Sequence, residues 1–360
     1  MKTVAEFAIP YLRLLDAEGQ LPATGADALP AFARSPDELA RMYRAMTLAR
    51  MFDAKAVNLQ RTGKLGTYAP CTGHEATHVG VGAAMRDEDV LFPVYREYGT
   101  QIWRGVTLAE ILIYWGGDER GTNFAGPRDD FPWCVPIGSQ APHAAGAAMA
   151  FKIRQQPRCA VAFIGDGGTS QGAFYEALNL AGARALPVVF VIVNNGWAIS
   201  VPVSEQTAAQ TLAQKGIAAG VPGVQVDGND AIAVREVMET ALARARAGEG
   251  PTVIEALTYR LSDHTTADDA TRYRPAGQLD AAWKLEPLLR MRKLLEARGA
   301  WDTQREQQLR TQCSVEVDAA VQAYFAHPRP DSDAMFDHLF ARPPAALQEQ
   351  RDTAREYGHR

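Results

Sequence analysis

Two unbroken apolar runs, residues 159–164 (CAVAFI) and 187–193 (PVVFVIV), flank a stretch rich in alanine and leucine, residues 171–184. A strand that is apolar on both sides must be covered on both sides. That calls for helices above and below the sheet rather than one wet face. Strand, helix, strand at this spacing gives parallel neighbours joined by a right-handed crossover. A third run, residues 252–256 (TVIEA), follows another helical pattern over 231–247. The expected class is α/β, with a mostly parallel central sheet and helices on both faces.

Composition removes several other classes. The 360 residues are 47% hydrophobic and 22% charged, ordinary for a globular protein. The net charge of −5 lacks the basic excess of a nucleic-acid binder. The longest apolar runs are too short to span a bilayer, so no membrane partner is expected. Glu6 and Pro10 interrupt any signal-peptide core at the N-terminus. Cys71, Cys134, Cys159 and Cys313 form neither a CxxC pair nor a zinc pattern. They read as small buried hydrophobes in a reducing compartment, and a cytoplasmic location is expected.

Residues 1–35 are weakly periodic and punctuated by Pro and Gly; they read as an arm. Ser35, Pro36 and Glu38 then carry the signature of a helix start, with Ser35 as cap, Pro36 in the first turn and Glu38 closing a capping box. That helix presents Leu39, Met42, Tyr43 and Met46 on one face and runs towards Gln60. One main domain over 36–330 and a C-terminal extension over 331–360 complete the expected organisation.

The chemistry concentrates at two strand ends. Gly165-Asp166-Gly167-Gly168 follows the first run directly, and Asn194-Asn195 follows the second. Both emerge at the carboxyl edge of one parallel sheet, where open α/β folds bind ligands. Asp166 offers a carboxylate, Asn195 a neutral amide oxygen, and Trp197 a backbone carbonyl. Those are ligands suited to Mg²⁺ that keeps phosphate oxygens in its shell. The glycines admit a phosphate closely, and the following helix aims its N-terminus at the anion. Singly, each motif is an ordinary turn; at adjacent strand ends they form a metal–diphosphate site.

The stretches GDGGTSQGAFYEALNLAGA and VNNGWAISVPVSEQT resemble the thiamine-diphosphate motif of 2-oxo acid dehydrogenase alpha subunits, of the pyruvate and branched-chain types. RTGKLGTYAPCTGHEA, YREYG, VPIGSQ, GVQVDGND and EALTYRLSDHTTADDATRYR extend that resemblance over most of the chain from about Arg41. It implies the thiamine-diphosphate-binding fold and assigns further residues. Tyr95 and Arg96 would contact the diphosphate. Ile137 would lie beneath the cofactor and bend it, with the Gly138 backbone facing the aminopyrimidine. Ser139 and Gln140 match a potassium-binding loop of some members. His264 would contact the diphosphate and assist acyl transfer to lipoamide, in a loop over 264–274 that orders over the cofactor.

Departures from the family pattern are also visible. Thr265 stands where animal members carry a phosphorylated serine. Val193 replaces an Arg or Gln that contacts the diphosphate in some members. Thr67 replaces a Phe of some pyruvate-specific members, which leaves more room for an acyl chain. Asp118-Glu119-Arg120-Gly121 stands where some relatives have a histidine.

The glutamate that activates the cofactor belongs, in the family, to a beta subunit. The resemblance therefore implies an alpha-2 beta-2 heterotetramer that passes its acyl group to the lipoyl domain of a dihydrolipoyl acyltransferase within a multienzyme complex. Pyruvate is the expected 2-oxo acid, with branched-chain 2-oxo acids or acetoin as alternatives. A self-contained decarboxylase would need a second cofactor domain, for which 360 residues leave little room. A nucleotide-binding scaffold would need GxGxxG or GxxxxGK[ST], and neither is present.

Overall fold

The computed structural model describes residues 1–21 and 29–358. Residues 22–28 of the expected arm, and 359–360 of the expected extension, lie outside the described residues. The strands are β1 (Tyr11–Leu12), β2 (Val90–Phe92), β3 (Ala160–Gly165), β4 (Val188–Asn194), β5 (Trp197–Ala198), β6 (Val201–Pro202), β7 (Gly223–Asp227) and β8 (Thr252–Leu257). Six of them form one sheet in the order β1-β7-β8-β4-β3-β2, and every pairing in it is parallel. β5 and β6 make a separate antiparallel hairpin.

The two apolar runs are the adjacent strands β3 and β4, with Gly165 level with Val193. Side chains alternate across a pleated strand, which divides each run between two cores. Ala162, Ile164, Phe190 and Ile192 pack with the helices Gln140–Ile153 and Gly172–Arg184. Val161, Phe163, Val189 and Val191 pack with the helix Ala231–Arg246 on the opposite face. Each large apolar side chain sealed this way contributes about 1.5–3 kcal/mol before entropy is counted. The expected α/β layering is therefore present. A third core joins the helices Pro36–Arg61, Leu108–Trp115, Pro287–Ala297 and Thr303–Ala326.

Two local expectations need correction. Ser35 does cap its helix, accepting from the Glu38 backbone N–H. Glu38 does not close the box: its carboxylate pairs with Arg235 at 2.6 Å. A partner on another helix outcompetes a short-range cap. The arm also does more than cover the surface, since Tyr11 and Leu12 pair with Gln225 and Val226 as the edge strand of the sheet. Two residues are too few to show any alternation in the sequence.

Candidate functional site

β3 and β4 end side by side, so Asp166 and Asn195 leave the sheet together. Asp166 is 1% exposed and Asn195 8%. The Asn195 side-chain amide donates to Asp166 Oδ1 at 3.0 Å. Gln206, at the end of the short helix Val203–Gln206, donates to Asp166 Oδ2 at 3.2 Å. The amide oxygens of Asn195 and Gln206 are both buried without a hydrogen-bond partner. Burial pushes the Asp166 carboxyl above its usual range, and the Gln206 bond offsets this in part. No cation pairs with it in the salt bridges among the described residues.

The turn after β3 is packed tightly against its neighbours. A Cβ on Gly167 would lie 2.4 Å from Ala198 Cβ, and one on Gly168 would lie 2.6 Å from Ile164 and 3.1 Å from Ile137. Those contacts put the Ile137 side chain beside the Gly-Gly turn, although the two are far apart in sequence. Ile137 is 43% exposed, so it stands out from the protein surface next to the turn. Gly138 adopts φ +95°, a backbone conformation that side chains disfavour. Ser139 and Gln140 fold back onto their own loop, donating to the carbonyls of Pro136 and Cys134.

The turn is braced from behind. Thr169 donates to the Asp166 carbonyl at 2.7 Å. Lys215 Nζ, 6% exposed, donates to Thr169 Oγ1 at 2.8 Å and to its carbonyl at 3.1 Å. The Gly167–Ser170 stretch is a 3-10 turn, and the regular helix begins at Gly172.

A second group faces this one. Arg96 is 7% exposed and Arg260 1% exposed. Neither forms a salt bridge with a carboxylate among the described residues. Arg96 donates to the carbonyls of Pro70 and His264, the latter at 3.0 Å. Arg260 donates to the carbonyls of Ile199 at 2.9 Å and Trp197 at 3.4 Å, which ties it to the β5–β6 hairpin. Tyr95 is half-buried, with its ring perpendicular to His264 at 6.2 Å between centroids. Burial, then Arg96, pulls the Arg260 guanidinium down to about 10. Burial, then Arg96 and Arg260, holds His264 at about 3, so the imidazole is neutral at physiological pH. Glu97 acts on Arg96 and Asp268 on Arg260 only through space, so both guanidiniums keep capacity for a direct anion partner.

The loop that carries His264 is tied to the chain at Tyr68. Thr266 N–H donates to Tyr68 O at 2.8 Å, and Tyr68 N–H returns a bond to Thr266 Oγ1 at 3.0 Å. Asp53, fully buried, fixes the Tyr68 side by accepting from the Tyr68 hydroxyl, the Cys71 and Thr72 amides and the Thr72 hydroxyl. Thr67 is exposed and lines a cavity of about 380 Å³ with Gly66, Tyr114 and Trp115. Asp118 holds Arg120 and receives a contact from His327 Nε2 at 3.2 Å.

The fold thus brings Asp166, Asn195, Trp197, Gly167, Gly168 and Ile137 to one edge, and joins Tyr95, Arg96 and His264 to it through Arg260. Gln206 and Arg260 are residues that sequence reasoning did not single out. Both lie inside stretches quoted above for the family resemblance, yet no spacing rule marks either one. Among the described residues no group of three or more His, Cys, Asp or Glu gathers as a metal cage. What this edge offers instead is one carboxylate with amide and carbonyl oxygens beside it.

The family model for the dehydrogenase E1 component matches residues 43–332. This chain belongs to that family. It is the alpha-type chain of a 2-oxo acid dehydrogenase, and the family depends on thiamine diphosphate. It is 44% identical over 321 residues, 89% of this chain and 88% of the relative, to a 3-methyl-2-oxobutanoate dehydrogenase subunit alpha of Mycobacterium tuberculosis. It is 39% identical over 347 residues, 96% of this chain and 92% of the relative, to a pyruvate dehydrogenase E1 component subunit alpha of Staphylococcus epidermidis. A Staphylococcus aureus protein of the same name matches to the same extent. No helix among the described residues is long and apolar enough to cross a bilayer. All four cysteines are free, with Cys71, Cys159 and Cys313 buried.

Proposed function

We propose that this E1 alpha chain binds the diphosphate and Mg²⁺ of thiamine diphosphate and works with a beta subunit, as an alpha-2 beta-2 heterotetramer, in the oxidative decarboxylation of a 2-oxo acid. The observation that carries the reading is two buried guanidiniums without a direct salt bridge, Arg96 and Arg260, together with buried amide oxygens that lack partners around Asp166. Asp166, Asn195 and the Trp197 carbonyl would hold the metal, with Gln206 beside them. The Gly165–Gly168 turn would admit the diphosphate, and Tyr95, Arg96 and His264 would neutralise and orient it. Ile137 would support the cofactor rings, next to the Gly138 backbone.

The cofactor supplies the electron sink for loss of CO₂. The chain's own residues bind and orient it. Its buried glutamates are committed elsewhere: Glu75 to Arg50 and Gly73, Glu97 to the amides of Val94 and Arg96, Glu110 to Thr107, and Glu255 to Asn194, Ala213 and Gln225. That supports an activating carboxylate supplied by the beta subunit. Transfer of the acyl group to the lipoyl domain of a dihydrolipoyl acyltransferase completes the proposed reaction.

Pyruvate is the first substrate reading, in keeping with the staphylococcal relatives. A branched-chain 2-oxo acid is the second, favoured by the mycobacterial relative and by Thr67, small and exposed at the cavity of Tyr114 and Trp115. Calorimetry on the chain reconstituted with its beta subunit should give Mg²⁺-dependent binding of thiamine diphosphate. Absence of such binding overturns the proposal. Rates with pyruvate and 3-methyl-2-oxobutanoate on the same complex then decide between the substrates.

A further inference from the structure

We infer that Arg96 and Arg260 together hold His264 as the tautomer protonated on Nε2, so that it serves the site as a neutral N–H donor and not as a base. The role given to His264 rests on the reading above; the tautomer itself does not. Arg96 Nη2 lies 3.2 Å from His264 Nδ1, and Arg260 Nη1 lies 3.3 Å from the same nitrogen. A guanidinium has five N–H donors and no acceptor. Two donors converging on Nδ1 require a lone pair there, and the ring's single proton then resides on Nε2. A proton on Nδ1 would set a third donor against two buried cations.

Both arginines are themselves fixed, so the arrangement is built in. Arg96 is anchored by the carbonyls of Pro70 and His264. Arg260 is anchored by the hairpin carbonyls of Trp197 and Ile199 and donates to the Tyr273 hydroxyl at 3.2 Å. Tyr273 donates in turn to Asp268 Oδ2 at 2.5 Å, and the same oxygen accepts the His264 backbone N–H at 2.9 Å. Ring and backbone of His264 are therefore gripped by one closed circuit in which Arg260 is the link. Arg260 is a positioning residue: it acts through His264.

An imidazole in this state offers Nε2–H to a phosphate oxygen or to the atom that accumulates charge during acyl transfer. It has no free lone pair with which to take a proton. Neutral imidazole in that role is an established form of electrophilic assistance.

The test is nitrogen NMR of the full chain with ¹⁵N-labelled histidine at neutral pH. The His264 signal is assigned by its loss in His264→Asn. The expected spectrum has an acceptor-type Nδ1 and an N–H-type Nε2. In Arg260→Met, where Arg96 still donates to Nδ1, the proton should stay on Nε2 while the Nδ1 signal moves towards that of an acceptor with one donor fewer, and lipoamide acylation by the reconstituted complex should fall more than thiamine diphosphate affinity does. An N–H-type Nδ1 in the native chain, or a doubly protonated ring, overturns the inference. So does an unmoved Nδ1 signal in a folded Arg260→Met. If that variant does not fold, the native spectrum alone decides. Failure of the complex to bind thiamine diphosphate would sink the functional reading and leave the tautomer result standing.

Discussion

Asn195 donates its side-chain amide to Asp166 Oδ1 at 3.0 Å, across the gap between the ends of two neighbouring parallel strands. The bond occupies one carboxylate oxygen while leaving the Asn195 oxygen buried and unpartnered. A buried polar atom in that condition costs about 1–3 kcal/mol. A cation held between the two side chains, as proposed above, would satisfy both at once.

Asp166→Asn should separate stability from function. Burial raises the Asp166 carboxyl, so folding favours its neutral form. Its charge therefore costs stability above the ordinary carboxylate range, and that cost fades as pH falls through the raised value. At pH 7 the metal-free variant should unfold at the same or a higher temperature than the native chain. Mg²⁺-dependent activity with the beta subunit should drop at least about 100-fold, the scale of a lost electrostatic contact to the reacting group. Full activity would remove Asp166 from the metal site.

Gln206→Leu removes the second donor to the Asp166 carboxylate. Partners that orient a metal ligand are worth about 10–100-fold in metal affinity. Titration of Mg²⁺ into the thiamine-diphosphate-loaded complex should show a rise in Kd of that size, with the turnover at saturating Mg²⁺ little changed. An unaltered Kd would make Gln206 a bystander.

Lys215→Met unties Thr169 from behind the glycine turn. A hydrogen bond to a charged group contributes about 1.5–3 kcal/mol, so KM for thiamine diphosphate should rise about tenfold or more. Thermal stability should change less, since the buried charge is removed with the bonds. The comparison needs initial rates across cofactor concentration and a melting curve.

Thr67→Phe should narrow the cavity beside Tyr114 and Trp115. Pocket size of a methylene or more discriminates substrates by about 10–200-fold. The ratio of kcat/KM for 3-methyl-2-oxobutanoate to that for pyruvate should fall about tenfold in the reconstituted complex. An unchanged ratio would show that this cavity does not receive the acyl chain.

Asp53→Ala tests the support of the His264 loop. It strands the Tyr68 and Thr72 hydroxyls and the amides of Cys71 and Thr72. At about 1–3 kcal/mol for each buried group left unpaired, denaturant unfolding should register a loss of several kcal/mol. A neutral result would mean that the loop does not depend on this carboxylate.

The apolar runs at β3 and β4 were legible because a strand sealed on both faces leaves an unbroken hydrophobic segment, and the turn motifs at their ends travel with it. The start of the helix at Ser35 was legible for the same local reason, while the fate of Glu38 was not, because Arg235 lies on a distant helix. The short strands β1 and β2 carry too few residues to mark themselves, and the apolar residues of β7 are interrupted by Gly223 and Gln225.

The sequence by itself determined the α/β class and put Asp166 and Asn195 at strand ends, since both follow from side-chain pattern within a few residues of chain. Tertiary structure decided what meets them. Arg96 reaches His264 across 168 positions, and Gln206 reaches Asp166 across 40. No local periodicity encodes such encounters. They exist because the sheet order and the packed helices fix where loops cross, and because a buried donor or charge must find a partner wherever the fold brings one.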